Sequence, residues 1–523
     1  MKSTLRIKKI NGIEYWYEDI PYYDTEKKQI RHRSKYLGKN VNGKPVRVRD
    51  AVNSNEGMLL PSSKPLKAYN YGELIPLQKI IEELSIGEFL GDLLNEKDRN
   101  MALAIAMNRI TRPVAMYNVR SWYENSALFL NDPELPLKSQ NISKLLDKIG
   151  DSDIPSTFIG KMLRNLGTNR TLMYDLTSLS SHSQLINLLE YGYSRDDPEL
   201  PQINLSMVLD KDKGIPVMYD IYPGSIVDVT TLKNTIKKIE AYEVNDYTLV
   251  MDRGFFSTGN IEELLHEKIP FIMPATMMLK SVKELMSLAQ KDIESPEYLH
   301  KFNKKPIFVK PVVLEEANFK VNGYCFYDPK REVEEKSTFY SRLYDVKEHI
   351  EKAKIPAWRK AEDVFKERAR DMASFYSWEI VDNHFTIIIK KNAVSQRINR
   401  MGKFILFYNG ERDWMDCLTV YRERDVVEKG FKTMKKDIQS LPLNTNKDST
   451  TKGFIFICFI GLMIRMRLLK MMKETGIVEE YTVESLLLEL EKVRKIKMQN
   501  GEVIVTEITR KQKDILAKME LCA

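Results

Sequence analysis

The chain has 523 residues, with 81 Lys and Arg against 73 Asp and Glu, a net charge of +8. That balance excludes both a wholly basic chromatin-like protein and an acidic disordered chain; with 43% hydrophobic and 29% charged residues, this is globular material able to bury a large core, about three domains long. The four cysteines (Cys325, Cys417, Cys458, Cys522) form no C-x-x-C pair, which argues against a zinc ribbon or disulfide framework and for a reducing compartment.

In chain order, residues 1–10 lack the apolar run of a secretory signal. Residues 13–18 alternate as a strand, residues 24–28 form a polar turn, and residues 29–37 carry Arg31, His32, Arg33 and Lys35. Residues 1–50 thus read as a basic β-hairpin unit. Interleaved aromatic and basic side chains make Arg31, Arg33 and Lys35 candidates for DNA contact. Residues 51–65, with Asn53, Gly57, Pro61 and Ser62, read as a linker. Residues 66–166 read as a helical domain, from helical spacing of Leu77, Ile81 and Leu84 and of Leu90, Leu93 and Leu94.

The pattern then changes. Residues 170–178, 203–210 and 216–222 read as three antiparallel strands. Asp228 caps a helix to about Ala241, residues 247–252 form a fourth strand, Ser257 or Thr258 caps a short helix, and residues 270–274 form a fifth strand. The order β-β-β-α-β-α-β predicts an α/β fold, a ribonuclease H-like catalytic core split over residues 167–277 and 402–450. Residues 278–401 interrupt it as a mixed α+β insertion domain. That insertion has strands near 307–313, 319–326, 379–381 and 384–389 and a charged helical stretch broken at Pro356. One more strand precedes a long helix opening near Asp416. Residues 451–523 are expected to be a helical C-terminal tail. Its most apolar run, 453–464, falls short of the ~20 residues that span a bilayer, so it reads as a buried core helix.

Asp175 sits inside an apolar strand, where a carboxylate is costly unless paired or metal-bound. Asp252 ends another. In the expected core the first and fourth strands are neighbours, so the two carboxylates stand side by side and a divalent cation relieves their repulsion. On the late helix, Tyr421, Arg424, Glu428, Lys432 and Lys435 fall on one face at 100° per residue. An i,i+4 ladder Arg424–Glu428–Lys432 is the plain structural alternative. His182 reads as a loop histidine. No H-E-x-x-H or G-x-x-x-x-G-K-[ST] pattern exists, so neither a zincin nor an ATP site is indicated.

The set Tyr421-x2-Arg424-x3-Glu428-x6-Lys435 resembles the Y-R-E-K motif of a large family of bacterial insertion-sequence (insertion-sequence-four-like) DDE transposases. Tyr174-Asp175-Leu176-Thr177 resembles that family's first-aspartate strand, and Asp252-Arg253-Gly254-Phe255 its second. Gly214-Ile215-Pro216 with Pro223-Gly224-Ser225 and Asp228 resembles the intervening hairpin, Ser225 standing where many relatives carry Asn. The long gap between Asp252 and Glu428 fits members with an insertion. The resemblance implies a DNA transposase that cleaves element ends and joins them to target DNA. Asp175, Asp252 and Glu428 would hold two Mg²⁺, with Mn²⁺ as a substitute, about 3.5–4 Å apart. It also implies that Arg424 and Lys435 hold phosphates and that Tyr421 hydrogen-bonds or stacks nearby. Lys432 joins this set from the helix face alone, and Trp414 is a candidate to stack on a displaced base. The partners implied are double-stranded DNA with terminal inverted repeats, target DNA and a second subunit, with no membrane. The tail offers dimer contacts, the basic hairpin and helical domain are candidates for end recognition, and the location is bacterial cytoplasm, at the nucleoid when DNA-bound. A catalytically silent DNA-binding regulator and a ribonuclease H-fold nuclease without strand transfer remain the alternatives.

Overall fold

A computed structural model describes residues 3–10, 13–24, 29–41, 43–46, 64–183, 185–192, 199–226, 228–440, 443 and 445–521. Of the turn expected at 24–28, Asp24 is the end of a strand and residues 25–28 lie outside the described residues, as do linker residues 51–63 and Cys522. The chain divides into two units, residues 1–67 with 496–504 and residues 68–495 with 505–523.

The first unit carries a four-stranded antiparallel sheet: β1 (Thr4–Ile10), β2 (Ile13–Asp24), β3 (Gln29–Val41) and β4 (Lys44–Val46), in that order. The expected hairpin is its middle, with a strand added on each side. Arg31, Arg33 and Lys35 are exposed on β3, opposite Tyr22, Ile20 and Glu18. The tail is not wholly helical. Arg494–Met498 and Val503–Val505 are strands joined through Asn500-Gly501, with Gly501 at φ +87°. An Asn-Gly pair between alternating apolar residues is the chemistry of a tight hairpin turn, because Gly takes positive φ without strain.

In the second unit, a helical layer holds α1 (Leu74–Glu83), α2 (Glu96–Thr111), α3 (Ser139–Gly150) and α4 (Ile154–Arg164). Next come β5 (Arg170–Ser180), β6 (Gln202–Asp210), β7 (Ile215–Pro223), α5 (Asp228–Ala241), β8 (Tyr247–Met251), α6 (Thr258–His266) and β9 (Phe271–Pro274). Ser257 caps α6 by accepting the Asn260 N–H at 3.1 Å. β5, β6 and β7 pair antiparallel, while β8 runs parallel to both β5 and β9, giving the order β9-β8-β5-β6-β7. β5, β6 and β8 are buried almost throughout, the signature of strands covered on both faces.

The sheet does not stop at β9. β10 (Leu299–Phe302), β11 (Lys305–Glu315), β12 (Lys320–Tyr327) and β15 (Lys403–Tyr408) extend it to nine strands, in the order β10-β11-β12-β15 before the five above, with β15 next to β9. Between β12 and β15 lie α7 (Pro329–Glu351), α8 (Ala361–Ala369) and the hairpin β13 (Tyr376–Val381) and β14 (His384–Ile389). These pack around their own small apolar core of Phe339, Leu343, Ile350, Phe365, Tyr376 and Phe385.

After β15 come α9 (Trp414–Glu423), α10 (Asp425–Lys432), a π-helical turn over Thr433–Asp437, and α11 (Asp448–Glu474). The apolar run 453–464 is buried on every side of α11, as its composition predicts. α11 crosses α3 so closely that a Cβ at Gly453 would overlap the Leu146 carbonyl, and one at Gly150 the Ser449 carbonyl. Among the described residues no helix is long and apolar enough to cross a membrane.

Candidate active site

β5 carries Asp175 between the buried side chains of Tyr174 and Leu176. The parallel register pairs Tyr174 with Met251, so Asp175 and Asp252 are the next residues on adjacent strands. Two contacts hold this end of the sheet. The Tyr174 hydroxyl donates to Thr231 Oγ1 on α5 at 2.8 Å, and its ring lies 4.8 Å from that of Phe255, in the turn after Asp252. Asp175 Oδ1 accepts the Leu176 N–H at 2.8 Å. Its side chain is 3% exposed, against 25% for Asp252 and 57% for Glu428.

Glu428 comes from α10. Tyr421 to Lys435 do not form one straight helix. The Arg424 N–H bonds the Tyr421 carbonyl at 3.1 Å and the Val427 N–H bonds the Arg424 carbonyl at 2.9 Å, both i to i+3, so the backbone tightens at Arg424. That turn joins α9 to α10 and drives the Arg424 side chain inward. Its Nη2 lies 2.8 Å from Glu428 Oε1 and 3.6 Å from Asp252 Oδ1, and its Nη1 3.6 Å from Asp175 Oδ2. One guanidinium therefore touches all three carboxylates. Only the Glu428 contact has hydrogen-bond length; Nη1 is buried with no hydrogen-bond partner among the described residues. Burial opposes the charge on Arg424, but Asp252, Asp175, Tyr421 and Glu428 together raise it above its ordinary pKa. Burial likewise raises the Tyr421 phenol, and Asp252 adds to it while Arg424 opposes. The Arg424 guanidinium lies 5.8 Å from the centre of the Tyr421 ring.

Residues 170–464, more than half of the chain, match the transposase DDE domain. The chain belongs to that family. No curated protein matches it. Among solved structures, the transposase is similar to the piggyBac transposase in a synaptic complex with hairpin DNA (10% identity, TM-score 0.39, covering 82% of this chain and 76% of that one). It is also similar to the Drosophila P element transposase in a strand transfer complex (13% identity, TM-score 0.18, 75% and 83%). At these scores neither likeness bears on the site.

In the transposase, Asp252, Tyr421, Arg424 and Glu428 open onto a cleft of about 860 Å³, with Asp175 behind Arg424. Cations outnumber carboxylates around it. Arg253, Arg331, Arg397, Arg400 and Lys403 line it, and only Arg253 belongs to the motif blocks. The other four flank or lie within residues 329–401, and the spacing Arg397-x2-Arg400-x2-Lys403 is the signal that could have marked them. Among the described residues no three His, Cys, Asp or Glu side chains stand close enough to hold a metal together. Arg424 stands among the three carboxylates instead. Lys435 is half-buried on the π turn and Lys432 is exposed at the end of α10. The Trp414 ring packs against His300 at 4.9 Å and Phe302 at 6.3 Å, and His182 is an exposed loop residue. Arg31, Arg33 and Lys35 belong to the other unit.

Proposed function

We propose that this transposase is a Y-R-E-K, insertion-sequence-four-like enzyme of bacterial origin with a ribonuclease H-like core. It cleaves the ends of its element and joins them to target DNA. The observation that carries this reading is the contact of Asp175, Asp252 and Glu428, from two adjacent strands and one helix, with the one Arg424 guanidinium within a DDE domain. The strand order β9-β8-β5-β6-β7 supports the same core.

An all-carboxylate donor set suits hard divalent cations such as Mg²⁺ or Mn²⁺. Bound there, two such ions would supply Lewis-acid activation of the nucleophile and neutralisation of the leaving oxygen. The chain's own residues do the rest. Asp252 and Glu428 face the cleft, where they can accept a cation or orient a hydroxyl. Arg424 competes for the same oxygens, reaching Asp175 inside the core. It contacts the carboxylates at 2.8–3.6 Å, and once released from them it is an arginine beside the site, placed to bind a phosphate oxygen. Arg253, Arg331, Arg397 and Arg400 give the cleft a positive wall that neutralises the DNA backbone. Lys435 and Lys432 continue the cationic side of the helix, and Tyr421 and Trp414 offer aromatic faces. The partners are duplex DNA with terminal inverted repeats, target DNA and a second copy of the chain, its dimer contact drawn from the part of residues 451–523 outside the buried run 453–464. The basic sheet of residues 1–50 contributes end binding.

The test incubates the full chain with Mg²⁺ and DNA carrying the element's inverted repeats. Asp175→Asn and Glu428→Gln each lower end cleavage and joining by at least about 100-fold while DNA binding persists. Cleavage by either variant at the wild-type rate would overturn the site. Binding without cleavage by the wild type would instead favour a regulatory DNA-binding protein, and cleavage without joining a nuclease.

A further inference from the structure

The sheet of the first unit, β1 to β4, has no core of its own. Among the described residues none of its apolar side chains belongs to either buried cluster, and Leu5, Ile7, Ile20 and Tyr22 are 39–62% exposed. A small sheet gains stability by covering an apolar face, so one left bare marks a binding surface. Side chains alternate across a sheet, so the register sorts them into two faces. On one face the polar groups satisfy one another. Arg6 lies 2.8 Å from Asp19, which also accepts the Ser34 hydroxyl. Lys8 donates to Ser34 Oγ at 3.4 Å and stands 4.8 Å from the centre of the Tyr17 ring, and the Tyr36 ring packs 5.5 Å from that of Tyr17.

The opposite face is built otherwise. Its cross-strand pairs are Ile20 with Arg33, Tyr22 with Arg31 and Glu18 with Lys35, beside Leu5 and Ile7 of β1. β2 thus contributes exposed Ile20 and Tyr22, and β3 a row of three exposed cations two residues apart. The carboxylates of this face are engaged with neutral groups: Glu18 accepts the Ser3 hydroxyl and Glu14 the Asn40 amide, each at 2.8 Å. Among the described residues no carboxylate pairs with Arg33 or Lys35. One face of the sheet is therefore closed on itself, and the other leaves an apolar row and a cationic row side by side in solvent.

We propose that this second face reads duplex DNA, with the β2–β3 ribbon lying in the major groove. The cation row complements a phosphate backbone. Adjacent strands lie about 4.8 Å apart, so a two-stranded ribbon with its side chains fits the ~12 Å major groove and not the ~6 Å minor groove. There Ile20 and Tyr22 meet base edges, thymine methyls among them, while Arg31, Arg33 and Lys35 reach guanine edges and the adjoining phosphates. That the sequence read is the end of the element rests on the transposase reading; the groove contact does not.

The experiment uses the full chain in chelator, where no cleavage intervenes. The wild type first selects a sequence from a pool of duplexes with randomised centres, and fluorescence anisotropy then compares the selected duplex with a shuffled one. The wild type binds the selected duplex at least about 100-fold more tightly. Arg33→Gln and the double variant Ile20→Ala, Tyr22→Ala each cut that ratio at least about tenfold, while Lys8→Gln, on the closed face, keeps it. Uracil in place of thymine removes only the major-groove methyl, and it weakens the wild type more than the double variant. No enrichment from the pool, an unchanged ratio in both face variants, or an equal loss in Lys8→Gln overturns the proposal. Self-association of the wild type that the face variants abolish while DNA binding persists gives the face to a second copy and also overturns it. Should the double variant fail to fold, Arg33→Gln, at an exposed side chain, decides alone. A selected sequence found in inverted repeats flanking the gene supports the transposase reading as well. One absent from the flanks leaves the groove contact standing and removes only its place at the element's ends.

Discussion

Arg424 is the residue that all three carboxylates contact. Asp175 is almost fully buried, and its Oδ2 faces the Arg424 guanidinium at 3.6 Å. Removing one partner of a buried ion pair weakens the compensation of the other charge, at a cost of up to about 3–5 kcal/mol. Arg424→Met should therefore lower the thermal midpoint by several degrees in chelator, and millimolar Mg²⁺ should restore more of it than the same Mg²⁺ adds to the wild type. An equal Mg²⁺ response in the two proteins would show that Arg424 and a cation do not share the carboxylates. A second residue reports through pH. Burial, with Glu491 adding and Arg112 opposing, pushes Glu73 up to about 7 from an ordinary 4.5. The folded state then binds more protons than the unfolded one between those values. The stabilisation from protonated Glu73 is fully present below pH 4.5, and that stability, up to about 3 kcal/mol, is lost as pH rises to about 7. Midpoints measured from about pH 4.5 to 7.5 should fall for the wild type, and Glu73→Gln should flatten that part of the slope. Asp175 and Asp252 were legible because a carboxylate in an apolar strand is costly enough to need a reason. The inward turn of Arg424 was not, because it arises from two i to i+3 bonds that break the helical phase assumed at 100° per residue.

Elements followed their local patterns where those patterns were strong. The five core strands and α5 and α6 lie within about two residues of the boundaries expected from apolar runs, caps and turn residues. What periodicity does not carry is partnership between distant segments. Strands at 305–327 and 403–408 were readable as strands, but not as continuations of the core sheet, since register is set by tertiary packing. The tail hairpin is carried by Asn500-Gly501, and the alternation of Lys, Arg and Glu with Leu, Ile and Met that predicts helix does not extend over residues 494–505. The long helix α11 shows how small residues decide an element's placement. At its crossing with α3, Gly453 faces the Leu146 carbonyl and Gly150 faces the Ser449 carbonyl, both backbone atoms that cannot rotate aside. Gly453→Ala must push the helices apart although Ala has the higher helix propensity. Its expected effect is a loss of at least ~2 kcal/mol, measured by denaturant unfolding, against a gain of ~1 kcal/mol for the same change at an open helical site. A neutral result would mean the crossing is looser than these contacts require.

At the scale of the whole second unit, residues 329–401 are attached rather than woven in. Tyr327 of β12 pairs directly with Lys403 of β15, and the Asp328 N–H bonds the Gly402 carbonyl at 2.9 Å, so the segment leaves and returns at the tip of an existing antiparallel pair. Its apolar side chains close on one another around Phe339, Phe365 and Phe385, apart from the main core that runs from Leu74 through the sheet to α11. Replacing residues 328–402 with an Asn-Gly turn should therefore leave the main core folded, because the strands are already in hairpin register and that turn suits it. The same excision removes Arg331, Arg397 and Arg400 from the cleft while keeping all three carboxylates. The shortened chain should unfold within a few degrees of the full chain's main transition. Its DNA affinity should fall, and the log–log salt dependence should become shallower by about two to three, roughly one for each phosphate that the excised arginines neutralise. A collapse of the main transition would show that the segment supports the sheet. An unchanged salt slope would show that its arginines do not reach DNA, leaving the positive surface of this transposase to Arg253, the helix after Arg424 and the basic sheet of the first unit.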